Sequence, residues 1–125
     1  MAVVGLGMDV CSVERVARIL QGPLGERFRE RVYTPAEVMT CRSRSDAATA
    51  FAARFAAKEA LVKALGAPPG LRWQDMEVIR ADNGAPGFVL KGVAQRQVAA
   101  RRLRVLLALT HDAGVAAATV VLESE

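Results

Sequence analysis

Residues 46–66, DAATAFAARFAAKEALVKALG, form the longest regular stretch of the chain. Asp46 stands as a candidate N-cap, Gly66 as a natural C-cap, and Pro68-Pro69-Gly70 follow as a stop. At about 100° per residue with Phe51 at zero, Phe55, Leu61, Val62 and Leu65 share an arc of roughly 120°, as a core face requires. Arg54 and Lys58 fall within the same arc, and Glu59 and Lys63 lie just past its edge. The opposite side is almost wholly alanine: Ala53, Ala56, Ala57, Ala60 and Ala64. A surface helix places its charges opposite its core residues, and this one reverses the rule. Three cations beside a single carboxylate point to an anionic ligand, because ionisable groups on a buried face need a partner or a task. The bland alternative is that the cations snorkel and that Glu59 and Lys63 form a weak i, i+4 pair.

Upstream, residues 2–10 read as a strand. Val4, Leu6, Met8 and Val10 form one face, and Gly5, Gly7 and Asp9 the other, so two missing side chains clear space in front of Asp9. Ser12 caps a helix that runs to Gly22-Pro23. Leu24, Phe28 and Val32 set a second apolar stripe, and Thr34-Pro35 with Glu37 spells a third helix start. CRSRSD at 41–46 reads as a loop. MEVIRA and GFVLKG flank a hairpin turn at Asp82-Asn83-Gly84, GVAQRQVAARRL is helical, and LRVLLALTH with GVAAATVVLE forms an antiparallel pair closed at Asp112-Ala113-Gly114. The expectation is one α+β domain over 1–125, an antiparallel sheet packed on a long helix.

The 125 residues suit one self-sufficient core, and with 52% apolar residues no stretch approaches the roughly 18 a membrane span needs. Cys11 and Cys41 form no CxxC and have no clustered histidine, which sets aside a zinc site and a disulfide scaffold and suits a reducing cytoplasm. The apolar start lacks a basic region and meets Asp9 early, so export is not expected. Seventeen basic against thirteen acidic residues favour acidic or phosphorylated partners. Gly5-Leu6-Gly7 completes neither a dinucleotide fingerprint nor a P-loop. His111, the only histidine, lies beside no nucleophile, and a catalytic triad is not supported. Asp9 and Glu59, carboxylates from separate elements amid cations, match a magnesium site that takes its other ligands from water and phosphates.

GLGMDV at 5–10, RFAAKEALVKALG at 54–66, DNGAP at 82–86 and LTHDAGVAAATVV at 109–121, in this order, resemble the holo-[acyl-carrier-protein] synthases, the small type of 4'-phosphopantetheinyl transferase. The resemblance spans Val3 to about Leu122. It implies transfer of the 4'-phosphopantetheine arm of coenzyme A to a serine of an acyl carrier protein, with Asp9 and Glu59 binding magnesium. It further implies a cytoplasmic homotrimer whose active sites are shared by two chains, the alanine-faced helix lying between its own sheet and a neighbour.

By position in the motifs, Lys63 is a catalytic group that stabilises charge or helps remove the serine proton, alongside a metal-bound water or a carboxylate as the other bases. Arg54, Lys58, Lys63, Gly66, Asn83, Gly84, Pro86 and His111 are coenzyme A contacts, and Arg15 and Arg18 a docking surface for an acidic carrier. Ala85 and Ala67-Pro68-Pro69 depart from the pattern near the nucleotide and leave open a fatty acid or a polyketide carrier. The rival is a non-catalytic basic module that binds nucleic acid or an acidic protein through Arg15, Arg18, Arg101, Arg102 and Arg104. With Tyr33 and Trp73 as the only Tyr and Trp, it has no stacking platform, and the resemblance carries no nucleic-acid or membrane partner.

Overall fold

A computed structural model describes all 125 residues. The elements run β1 (Val3–Ser12), α1 (Val13–Gln21), α2 (Gly25–Val32), α3 (Pro35–Arg42), α4 (Ala47–Leu65), a 3-10 turn (Trp73–Asp75), β2 (Met76–Arg80), β3 (Pro86–Leu90), α5 (Gly92–Ala100), β4 (Leu103–Asp112) and β5 (Val115–Ser124). Every predicted element is present, in an α+β arrangement. The sheet order is β1-β5-β4, all antiparallel, so the C-terminal strand is central, and β2 with β3 forms a separate hairpin. No helix is long and apolar enough to cross a membrane.

The local starts and stops follow the sequence. Ser12 Oγ accepts from the Arg15 backbone N–H, and Thr34 with Glu37 closes a full capping box behind Pro35. Gly66 ends α4 in the left-handed region at φ 80°, where a residue without Cβ fits best. Asp46 is a correction. It stands at the N-cap position but makes no capping bond, and its carboxylate takes the Arg44 guanidinium in two contacts of 2.8 and 3.2 Å.

The two faces of β1 divide as expected, but the space beside the glycines is a second correction. Gly5 and Gly7 face α4, and a Cβ on Gly7 would overlap the Ala60 carbonyl oxygen, while one on Gly5 would lie 3.0 Å from that of Ala64. The space these glycines leave is therefore filled by helix backbone and is not open in front of Asp9. The alanine side of α4 makes this approach possible: Ala56, Ala57 and Ala60 are fully buried against the chain's own sheet, beside Ala118, Val120 and Leu122 of β5. Arg54 and Lys58 are enclosed with the alanines, so most of α4 is a central helix, and it opens to solvent at Lys63 and, in part, at Glu59.

Val4, Leu6, Met8 and Val10 point the other way and are 49–67% exposed. Register places Leu6, Val121 and Leu106 in one row across this outer sheet face, and Met8, Thr119 and Ala108 in the next. The outcome is a continuous apolar surface, of a kind soluble chains usually cover with a partner.

Candidate active site

Asp9 lies on the helix-facing side of β1, opposite Ala118, and Glu59 projects from the middle of α4. Both line one depression of about 270 Å³, whose other walls are Val10, Cys11, Arg15, Val16, Ile19, Phe28 and Phe55. Glu59 feels the charge on Asp9. Partial burial raises the Glu59 carboxyl above its ordinary value, the Asp9 charge raises it further, and Lys63 opposes the rise. Burial first and the Asp9 charge second raise the Cys11 thiol, which disfavours its thiolate.

Lys63 Nζ donates to Asp9 Oδ1 at 3.1 Å and to the Met8 carbonyl at 2.9 Å. The weak i, i+4 pair with Glu59 is thus not what forms. The cation reaches across to the strand and leaves Glu59 without a salt bridge.

Two carboxylates on oxygen are a donor set for a hard divalent cation. They are too few to cage one, since nowhere do three or more His, Cys, Asp or Glu residues gather. Any such cation must draw its remaining ligands from water and from a bound anion, which suits a phosphate substrate.

Lys58 is a correction. Its side chain is 0% exposed, and its ammonium donates to the Val32 carbonyl at 2.7 Å, to Glu37 Oε1 at 2.6 Å and to the Trp73 carbonyl at 3.1 Å. All three donors are used inside the protein, so none remains for coenzyme A. Glu37 in turn accepts from the backbone N–H groups of Thr34 and Val78. Burial pulls the Lys58 pKa down while Glu37 pushes it back. Phe28, Tyr33, Phe51, Phe55 and Trp73, all the aromatics but Phe88, pack in a chain around this pair.

Arg54 faces a different groove, of about 290 Å³, walled among others by Arg44, Arg80, Glu37 and Glu77. It is 4% exposed, donates to the Ala50 carbonyl at 3.3 Å, and its Nε has no partner. The Arg54 guanidinium thus keeps an unsatisfied buried donor, and Arg44 and Arg80 add positive charge to walls that also carry Glu37 and Glu77. Arg44 and Arg80 escaped the sequence reading because one lay in a stretch read as loop and the other on a strand, 36 residues apart. Arg80 also donates to the Gly84 carbonyl at 2.7 Å, which ties the 82–86 turn to this groove, and Asn83 Oδ1 braces the turn by accepting from the Ala85 N–H. His111 is exposed near the end of β4, close enough to Asp46 to help lower its carboxyl pKa after Arg44. Gly66 is exposed at the far end of α4.

The expected residues thus divide. Asp9, Glu59 and Lys63 meet at one corner, with Arg15 beside them; Arg54 faces the second groove, to which Arg80 ties the 82–86 turn; and the linings of the two depressions share no residue. Arg15 and Arg18 also line a shallow surface with Ile19, Pro23 and Leu24, and Arg101, Arg102 and Arg104 lie on neither it nor the carboxylate corner. A larger hollow of about 690 Å³ between α2 and α3 holds none of the expected site residues.

The model of the 4'-phosphopantetheinyl transferase superfamily matches residues 5–120, and the chain belongs to that superfamily. Within it the chain falls with the holo-[acyl-carrier-protein] synthases. It is 65% identical over 125 residues to the one from Myxococcus xanthus, covering 100% of this chain and 98% of that relative, and 56% identical over 126 residues to the one from Anaeromyxobacter dehalogenans, covering 97% and 96%. Among solved structures, the Bacillus anthracis holo-(acyl-carrier-protein) synthase in complex with CoA (3',5'-ADP) superposes with a TM-score of 0.80 at 31% identity, covering 100% of both chains. The Helicobacter pylori enzyme in complex with coenzyme A gives 0.80 at 27%, covering 94% of this chain and 99% of that one.

Proposed function

We propose that the Asp9, Glu59 and Lys63 corner is where this chain transfers the 4'-phosphopantetheine arm of coenzyme A to a serine hydroxyl of an apo acyl carrier protein, releasing adenosine 3',5'-bisphosphate. The observation that carries the reading is two carboxylates, from separate elements, lining one depression closely enough that Asp9 raises the pKa of Glu59. Asp9 and Glu59 would hold magnesium, which when bound neutralises the diphosphate oxygens and polarises the β-phosphorus.

The serine attacks that phosphorus roughly in line with the departing bisphosphate, so positioning and charge balance are the work left to the protein. Lys63, bonded to Asp9 as an ammonium, has no lone pair to accept the serine proton in that arrangement; it balances charge at the corner, and the proton passes to a carboxylate of the corner or to water. Arg54, with Arg44 and Arg80 beside it, offers donors to coenzyme A phosphates, and the turn at Asn83, Gly84 and Pro86 follows through the Arg80 tie. Gly66 and His111 stay as further contacts of the same ligand, and Lys58 is withdrawn from that set.

Two lines support a homotrimer with shared sites. The acidic corner and the basic groove open separately on one chain, and the outer face of Val4, Leu6, Met8, Val10 and Leu106 lacks a cover. A neighbour seated there would cover that face, and a shared site would join one chain's groove to another's corner. Arg15 and Arg18, on the rim of α1, would speed the encounter with an acidic carrier. Both cysteines are unpaired, in keeping with the cytoplasm, and the default carrier is that of fatty acid synthesis.

The test is the mass of apo carrier proteins incubated with the protein, coenzyme A and magnesium. One phosphopantetheine should be added to a carrier, and Asp9→Ala and Glu59→Ala should each slow this by about a hundredfold or more with the fold intact. Wild-type turnover in either variant would remove the assignment.

A further inference from the structure

Asp9 Oδ1 has two claimants. In the reading above it is a ligand of the divalent cation, and in the fold it accepts a hydrogen bond from Lys63 Nζ at 3.1 Å. The ammonium has a second anchor in the Met8 carbonyl at 2.9 Å, so it sits across the strand and is not hanging in solvent by one contact. The two partners differ in freedom. The Asp9 side chain is 18% exposed and held on β1, whereas that of Lys63 is 53% exposed and leaves from the last turn of α4 on a flexible four-carbon stem. When the pair opens, the lysine is the one that moves. A cation arriving at Asp9 must either take the oxygen from an N–H donor or share it while facing a unit positive charge a few ångströms away, and both oppose binding. The other carboxylate near Lys63, Glu59, is the cation's second ligand in that reading, so the new partner open to Lys63 is an incoming anion.

Resting on Asp9 and Glu59 as the cation's ligands, we propose that Lys63 is a built-in competitor for the metal: it holds Asp9 Oδ1 until the phosphates of coenzyme A draw it away, which makes cation and coenzyme A bind cooperatively. Such coupling is reciprocal, each ligand tightening the other by the same factor. It also guards against loading the carboxylates with a cation before there is a diphosphate to polarise.

The experiment titrates Mn2+ into the full chain, with free Mn2+ read by its paramagnetic resonance signal, for the wild type, Lys63→Met, Lys63→Arg and Asp9→Ala, each with and without coenzyme A. A half-exposed ion pair of this kind corresponds to a change in affinity of about threefold to fivefold, so Lys63→Met without coenzyme A should bind Mn2+ tighter than the wild type by about that factor. Lys63→Arg, which keeps the charge, should stay near the wild type. Coenzyme A should strengthen Mn2+ binding more in the wild type than in Lys63→Met. Equal or weaker Mn2+ affinity in Lys63→Met, with circular dichroism showing an intact fold and Asp9→Ala still losing the ion, would overturn the competition and leave the function standing. Undiminished Mn2+ binding in Asp9→Ala would overturn both.

Discussion

Helix α4 carries two lysines five residues apart, and each holds a carboxylate from elsewhere in the chain. Lys58 holds Glu37 at 2.6 Å with both side chains essentially unexposed, and Lys63 holds Asp9 at 3.1 Å with its own side chain half in solvent. The chemistry is the same and the consequences are opposite. Inside the aromatic cluster, three acceptors surround one ammonium, and through it α2, α3, the 3-10 turn and α4 are fixed to one another. At the rim the pair is loose enough to trade partners. Burial, more than residue type, separates a structural ion pair from a working one.

Removing one partner from each pair sharpens this most. Lys58→Met or Glu37→Ala strands a buried charge and should cost about 3 to 5 kcal/mol. Each also strands two backbone groups, the Val32 and Trp73 carbonyls in Lys58→Met and the Thr34 and Val78 N–H groups in Glu37→Ala. Thermal unfolding would register a fall on the order of 10 °C or more. The matching change at the rim, Lys63→Met, should cost less than about 1 kcal/mol. Equal losses at the two sites would erase the distinction.

A smaller effect is expected at Glu59. Burial and the Asp9 charge raise its folded-state pKa above the ordinary 4.5, so the folded chain bears a penalty for the charged form at neutral pH. That penalty is relieved as pH falls through the raised value and is gone near 4.5, because there the unfolded chain is protonated as well. In chelating buffer Glu59→Gln should therefore be the more stable protein at neutral pH, by less than about 1 kcal/mol, with the gap closing on acidification. Chemical denaturation from pH 8 to 4.5 measures it, and a gap that widens toward acid would have the wrong sign.

How far the sequence reached depended on distance along the chain. Thr34, Pro35 and Glu37 announced a helix start because the capping box spans four residues, yet nothing local told that Glu37 also meets Lys58 and Val78, 21 and 41 residues away. The alternation of glycine and Asp9 on β1 was readable, but whether helix or ligand fills the space beside Gly5 and Gly7 depends on Ala60 and Ala64, more than 50 residues on. The β4–β5 hairpin follows from its turn, where Ala113 and Gly114 both take positive φ, whereas the docking of β1 against β5 has no local signature. Asp9 stands out as an acid on a glycine-cleared strand face and Glu59 as the single carboxylate among three cations on the core side of a helix, contrasts visible without coordinates. Arg44 and Arg80 had no such contrast in a chain with fourteen arginines.

The direct test of the metal corner is a crystal of the protein grown with Mn2+ and coenzyme A, with the manganese located by its anomalous scattering. That ion should lie between the carboxylates of Asp9 and Glu59 and against the diphosphate of the nucleotide. An ion or a diphosphate bound away from this pair would contradict the assignment.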